Sequence, residues 1–263
     1  MPDMISSIPE PCQTDEPVLQ AIIFDLDGTL LDTLADLAEA GNAVLTAHGK
    51  TAAPIEAYKH YVGAGARNLM IRAFADAGLQ LDPSDPWLDQ LAGEFSQAYD
   101  ACWSVQTRAY DGIPTMLADL SARGLKMMVL SNKPDDFTQK IVGHYFPDID
   151  FTAVCGKQAG WPLKPDPALA LDLCCRIGVE PGQTAFVGDS GSDMETARRG
   201  QMLPIGVLWG FRSADELRQN HAAQLFHEPP GLAEWLVAHV DKDLTGCSPD
   251  PEQKGGAHGK TID

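Results

Sequence analysis

The run Phe24-Asp25-Leu26-Asp27-Gly28-Thr29 decides how the rest of the chain is read. It closes an apolar stretch over 18–26 whose pattern predicts a β-strand, and it opens into a turn. Residues two apart on an extended backbone project to the same side, so Asp25 and Asp27 can present two carboxylates to one substrate. Gly28 allows a sharp turn that a residue with a Cβ would resist. By itself an Asp-Xaa-Asp-Gly run is also an ordinary turn, because Asp and Gly are common after strands. Residues further along the chain separate the two readings.

Working outward, apolar patterns predict further strands over 125–130, 151–154, 184–187 and 204–208, with a short one over 224–226. Helical patterns lie between them. Ile113, Met116, Leu117 and Leu120 form one stripe, with Pro114 at the start and Gly124 past the end. Ala168, Leu169, Leu171, Leu173 and Ile177 form another, closed by Gly178. Alternating strands and helices imply an α/β fold, a Rossmann-like parallel sheet with helices on both faces. The interval 33–107 breaks the alternation: Leu34, Leu37, Ala38 and Leu45, then Leu69, Met70, Ala73 and Phe74, then Leu88, Leu91, Phe95 and Tyr99 all recur with helical spacing. It reads as an inserted all-helical cap domain. The expected organisation is a flexible leader over 1–17, a core domain over 18–32 and 108–240, the cap over 33–107, and a Gly-rich disordered tail over 241–263.

Three more runs lie at or just past predicted strand ends, which converge on one crevice in an open parallel sheet. Ser131-Asn132-Lys133 offers a hydroxyl and backbone amides. Lys164-Pro165-Asp166-Pro167 puts a lysine before a helix, and its compact ammonium suits a phosphate oxygen. Gly188-Asp189-Ser190-Gly191-Ser192-Asp193 adds two carboxylates, the hard oxygen donors that a magnesium ion takes. Each run alone has a plainer explanation, as a helix cap or a solvated loop; four in one order at strand ends do not.

With Tyr61-Val62-Gly63-Ala64-Gly65 and the extended run to Thr33, these motifs resemble the haloacid dehalogenase-like superfamily, specifically its phosphoglycolate phosphatase-like branch, from about residue 21 to residue 210. The resemblance implies a Mg2+-dependent phosphatase. Asp25 would attack phosphorus to form an aspartyl-phosphate, and Asp27 would serve as acid and then base. Asp25, the Asp27 carbonyl and Asp189 would hold the metal, supported by Asp193 and Ser190. Ser131, Asn132 and Lys164 would hold the phosphoryl oxygens. Arg67 and Gly63 of the cap are the expected substrate contacts, with Arg67 as a bidentate clamp for a carboxylate. The favoured substrate is a small phosphate monoester, 2-phosphoglycolate first. A sugar phosphomutase of the β-phosphoglucomutase type would carry the same core motifs, and a catalytically silent phosphate-binding regulator is the reading from another class.

Charge narrows the partners. Against 19 Lys and Arg stand 37 Asp and Glu, a net charge of -18, which repels nucleic acid and anionic membranes. An anionic substrate must therefore be met by local cations, within the roughly 10 Å over which charges act through salt. The expected partner is a small phosphorylated metabolite, bound by a monomer or homodimer. No stretch approaches the roughly 20 apolar residues of a membrane span. The 6 cysteines show no metal-ligand spacing and read as reduced thiols, consistent with a cytoplasmic protein.

Overall fold

Ala21, Ile22, Ile23 and Phe24 are all completely buried, as a strand covered on both faces requires. They form β1 (Ala21–Phe24) at the middle of the sheet. The computed structural model describes residues 18–240; the leader expected at 1–17 and the tail expected at 241–263 lie outside the described residues. After β1 come β2 (Leu31–Asp32), then the helices α1 (Leu34–Ala47), α2 (Tyr58–Tyr61), α3 (Gly65–Asp76) and α4 (Trp87–Cys102). The chain returns through β3 (Arg108–Ala109) to α5 (Ile113–Ala122), β4 (Lys126–Pro134), α6 (Asp135–Tyr145), β5 (Ala153–Lys157) and α7 (Ala168–Ile177). It finishes with β6 (Thr184–Gly188), α8 (Gly191–Arg199), β7 (Leu203–Val207), α9 (Ala214–Gln219), β8 (Gln224–Phe226) and α10 (Pro229–His239).

Six strands form one parallel sheet in the order β5-β4-β1-β6-β7-β8. Successive residues of β1 feed opposite layers: Ile22 and Phe24 join Met127, Val129 and Val187 on one face. Ala21 and Ile23 join Met128, Leu130 and Phe186 on the other. The first of these cores runs on into Leu34, Leu45, Tyr58, Phe74 and Leu91, so the helices of 33–107 share an apolar interior with one side of the sheet. Among the described residues, no helix is long and apolar enough to cross a membrane.

The strand order places a switch at β1, where the chain steps first toward β4 and β5 and later toward β6, β7 and β8. At such a switch the loops diverge and leave a crevice beyond the strands' carboxyl ends. Register sets what meets there. Phe24 is level with Val129 of β4 and Val187 of β6, so Asp25, Ser131 and Asp189, one or two residues further along, end up together.

Several details differ from the sequence reading. The first strand is shorter than 18–26, because Leu30 and Leu31 both donate backbone bonds to the Leu26 carbonyl and curl the chain away from the sheet. β4 is longer than 125–130 and carries Ser131-Asn132-Lys133 within it, since Pro134 still pairs with Lys157 of β5. The antiparallel ribbon of β2 and β3 was not foreseen; strands of two residues have no periodicity to read.

That ribbon is where the chain leaves for the helices and comes back, and Asp36 ties the two passes together. Its buried carboxylate accepts from Gln106 N at 2.9 Å, Thr107 N at 2.8 Å and Thr107 Oγ1 at 2.8 Å. An Asp36→Ala change leaves these donors without partners and is expected to destabilise the fold by about 3 kcal/mol. Urea unfolding followed by circular dichroism checks this. A change below about 0.5 kcal/mol, the level of an ordinary surface substitution, would mean that the carboxylate does not hold the junction.

Candidate active site

Asp25 lies just past β1 with 8% of its surface exposed, and Lys164 Nζ sits 2.7 Å from its Oδ1. Lys164 comes from the loop between β5 and α7 and also reaches Asp193 Oδ1 at 2.7 Å. Its place is set by Asn132, whose Oδ1 accepts from Lys164 N at 2.9 Å and whose Nδ2 donates to the Lys164 carbonyl at 3.1 Å. The same Nδ2 donates to the Gly63 carbonyl at 2.9 Å, joining β4 to the loop ahead of α3. Ser131 is buried in the pocket wall beside Asn132.

Asp27 is held at both oxygens. Thr33 Oγ1 donates to Oδ1 at 2.7 Å, and Lys133 Nζ stands 3.3 Å from Oδ2. Lys133 also donates to Tyr99 OH of α4 at 3.3 Å. Burial alone would make Lys133 easier to deprotonate, but Asp27 and Tyr99 outweigh it and hold the ammonium charged.

Asp189 follows β6 and is 2% exposed. Its Oδ2 accepts from Phe211 N at 2.7 Å. A Cβ at either Gly28 or Gly210 would run into the Asp189 side chain, so glycine at both positions lets the loops close on it. Gly28 also has φ 83°, which other residues rarely adopt. Asp193 stands in the first turn of α8 and forms a capping box with Ser190, the N-cap: its Oδ2 accepts from Ser190 N at 3.1 Å and from Ser190 Oγ at 2.6 Å.

Ligand oxygens of Asp25, Asp189 and Asp193 lie within 4.8 Å of one another. Burial is the main reason the Asp25 carboxyl is pushed up to about 7; Lys164 opposes the shift and Asp193 adds to it. Burial, then the charges of Asp25 and Asp193, likewise raise Asp189 well above the carboxylate range. Carboxylates that resist ionisation together form a site short of positive charge.

The pocket above these groups is walled by Leu37, Val62, Leu69, Phe95, Tyr99 and Phe137, with Gly63 and Arg212 at its lining. Of the two expected substrate contacts, Gly63 is there and Arg67 is not. Arg67 pairs with Asp89 of α4 and donates to the Pro83 carbonyl at 2.7 Å, which anchors the loop ahead of α4. Arginines on helices find such partners readily, and helical spacing cannot say which way they point. Lys133 and Arg212, with Thr33 and Tyr99 beside them, are residues that sequence reasoning passed over. Lys133 stood inside a quoted run without a role. Arg212 meets the rule that selected the other runs, since Trp209-Gly210-Phe211-Arg212 follows a strand's carboxyl end.

A family model for haloacid dehalogenase-like hydrolases matches residues 19–201. The phosphoglycolate phosphatase of Psychrobacter arcticus is 32% identical over 223 residues, 83% of this chain and 96% of that protein. The N-acetylmuramic acid 6-phosphate phosphatase of Pseudomonas aeruginosa is 31% identical over 230 residues, 87% of this chain and 98% of its own. The crystal structure of a predicted phosphoglycolate phosphatase from Haemophilus somnus superposes with a TM-score of 0.75 at 28% identity, covering 82% of this chain and 97% of that one. By these matches the chain belongs to the haloacid dehalogenase-like hydrolase family, as a phosphatase of its phosphoglycolate phosphatase-like branch.

Proposed function

We propose that the protein is a Mg2+-dependent hydrolase of a small phosphate monoester that carries a carboxylate, with 2-phosphoglycolate the first choice. The observation that supports this most directly is the pairing of Asp25 and Asp27 at one pocket, each with its own buried lysine. The two relatives named above act, by name, on phosphoglycolate and on N-acetylmuramic acid 6-phosphate, both acids as well as phosphate esters.

In the first step an Asp25 carboxylate oxygen attacks phosphorus and the ester P–O bond breaks. Asp27 gives a proton to the departing alkoxide. Water then attacks the phosphorus of the aspartyl-phosphate, loses a proton to Asp27, and displaces the Asp25 oxygen to release inorganic phosphate. Thr33 and Lys133 aim Asp27 throughout. Lys164, Ser131 and the backbone amide of Asn132 hold the transferring oxygens.

The donor set suits Mg2+: hard oxygens only, buried, and short of positive charge. Asp25, Asp189 and the Asp27 carbonyl would hold it. Asp193 supports from behind, since its oxygens are already engaged by Lys164 and Ser190. The ion would offset charge on the phosphoryl oxygens. Residues 33–107 would act as a cap whose loop at Val62 and Gly63 and helix α4 cover the leaving group.

The test is a panel of specificity constants with Mg2+ and with EDTA, spanning 2-phosphoglycolate, sugar phosphates including N-acetylmuramic acid 6-phosphate, and nucleotides. Release of phosphate from no ester above an Asp25→Asn control would sink the hydrolase reading. Conversion of a sugar 1-phosphate to its 6-phosphate would replace it with a mutase.

Asp27→Asn is expected to slow the first step, read as the single-turnover rate of leaving-group release, by about 10²–10⁴-fold for alkyl phosphates and far less for p-nitrophenyl phosphate, because nitrophenolate leaves without a proton. Equal losses in that first step on both esters would rule out proton donation by Asp27, while loss of the base slows the second step alike for both.

A further inference from the structure

We propose that Arg212 of the core recognises the carboxylate of the leaving group. This rests on the reading of the substrate as an acidic phosphate ester and assigns the residue that reads its acid end.

Three cations line the pocket, and two are paired with the carboxylates of the catalytic centre. Lys164 is shared by Asp25 and Asp193, and Lys133 by Asp27 and Tyr99. Arg212 has only 12% of its side chain exposed. Its Nη2 donates to the Val62 carbonyl at 2.8 Å, and its Nε lies 3.4 Å from Glu216 Oε1. Nη1 is buried with no hydrogen-bond partner among the described residues. A guanidinium clamped at two nitrogens is held still, and a buried N–H left over is costly unless a ligand meets it.

The cap side of the lining is otherwise largely apolar, from Leu37, Leu69 and Phe95 together with Phe137 of α6, with Ser96 and Tyr99 as its uncharged polar members. A carboxylate carried into that space finds no other cation with a buried, unpartnered N–H among the described lining residues. Chain connectivity adds a second link. Phe211 N fixes Asp189 while Arg212, the next residue, reaches Val62, so one dipeptide addresses the phosphate end and the acid end of the same ligand.

The probes are 3-phosphonopropionate, in which a methylene replaces the ester oxygen of 2-phosphoglycolate, and propylphosphonate, which lacks the carboxylate. Neither is cleaved, so binding is read without turnover, by titration calorimetry of the full chain with Mg2+. The wild type is expected to prefer 3-phosphonopropionate by on the order of 10²-fold, the worth of a charged hydrogen bond in a dry site. In Arg212→Gln the preference is expected to fall to within about threefold while propylphosphonate binds as before. Arg212→Lys, which keeps the charge but loses the fork, is expected to lose about tenfold of it.

No binding of 3-phosphonopropionate to the wild type, no preference, or a preference that survives in Arg212→Gln overturns the assignment. Equal weakening of both probes in that variant overturns it too, because Arg212 would then merely brace the Val62 loop. Should Arg212→Gln fail to show a cooperative melt, Arg212→Lys carries the test, and an undiminished preference there overturns the proposal. Turnover separates the two claims. If the probes behave as expected and no ester is cleaved, the hydrolase reading fails and Arg212 stands; cleavage without carboxylate preference is the reverse.

Discussion

Asp25→Asn is expected to cut phosphate release by at least about 10⁴-fold while leaving the metal-free protein as heat-stable as the wild type or more so. The amide cannot form the bond to phosphorus, and no neighbour can take over. Asp27 is engaged by Thr33 and Lys133, Asp189 by Phe211 N, and Asp193 by Lys164 and Ser190. The stability side follows from linkage. Burial pushes the Asp25 carboxyl up to about 7 in the folded state, above its unfolded value of 3.8. A carboxyl raised in this way binds more protons when folded, so its contribution falls as pH rises from about 4 to about 7. Asparagine removes that loss. Initial rates with 2-phosphoglycolate and melting curves at pH 8 in EDTA check both halves. Residual turnover within about 100-fold of wild type would mean that water attacks directly and that Asp25 is no nucleophile.

Lys164→Met is expected to behave in the opposite sense, losing stability as well as rate. Lys164 is 3% exposed at its side chain and is the cation shared by Asp25 and Asp193, with Asp189 close by. Its own deprotonation is opposed by those charges, which outweigh burial, so the ammonium is present across the working pH range. Removing one partner from a buried charge cluster costs about 3–5 kcal/mol. The deficit should be largest near pH 8 and shrink toward pH 5, since Asp25 and Asp189 have raised folded values and shed their repulsion by taking up protons. Added Mg2+ should raise the melting temperature of the variant more than that of the wild type. Turnover should fall by about 10²–10³-fold, the typical effect of losing one charge-stabilising contact. Urea unfolding at pH 5 and pH 8 provides the check. A deficit independent of pH would show that Lys164 matters for packing rather than for charge.

Asp25, Asp27, Ser131, Lys164 and Asp189 were legible because they obey a rule of topology rather than of contact. They follow or end apolar strand patterns, and parallel strands with helical crossovers bring such ends to one side. Asn132 was legible as a position and not as a role. It was expected to offer a backbone amide to phosphate, and its side chain turns out to clamp Lys164 and reach Gly63. Thr33 stood at the edge of a quoted motif, and its bond to the Asp27 carboxylate depends on the curl at Leu26 that shortens the first strand.

The helices of 33–107 mark the boundary of what patterns can say. Apolar spacing identified them, because a buried stripe must recur every 3.6 residues. It left open which polar residues of those helices would face the core. Arg67 and Tyr99 both lie on such helices; Tyr99 meets Lys133 in the pocket, and Arg67 turns to Asp89 and Pro83.

Local covalent order, through strand alternation, turn glycines and motif spacing, was enough to determine the α/β class, the helical insertion and the acidic centre of the site. Which cation each carboxylate receives, and which arginine stands over the pocket, was decided only by tertiary structure. Those contacts join residues some 30 to 150 positions apart, such as Asn132 with Lys164 and Arg212 with Val62. A side chain several rotatable bonds long has many directions open to it until the packed chain leaves one.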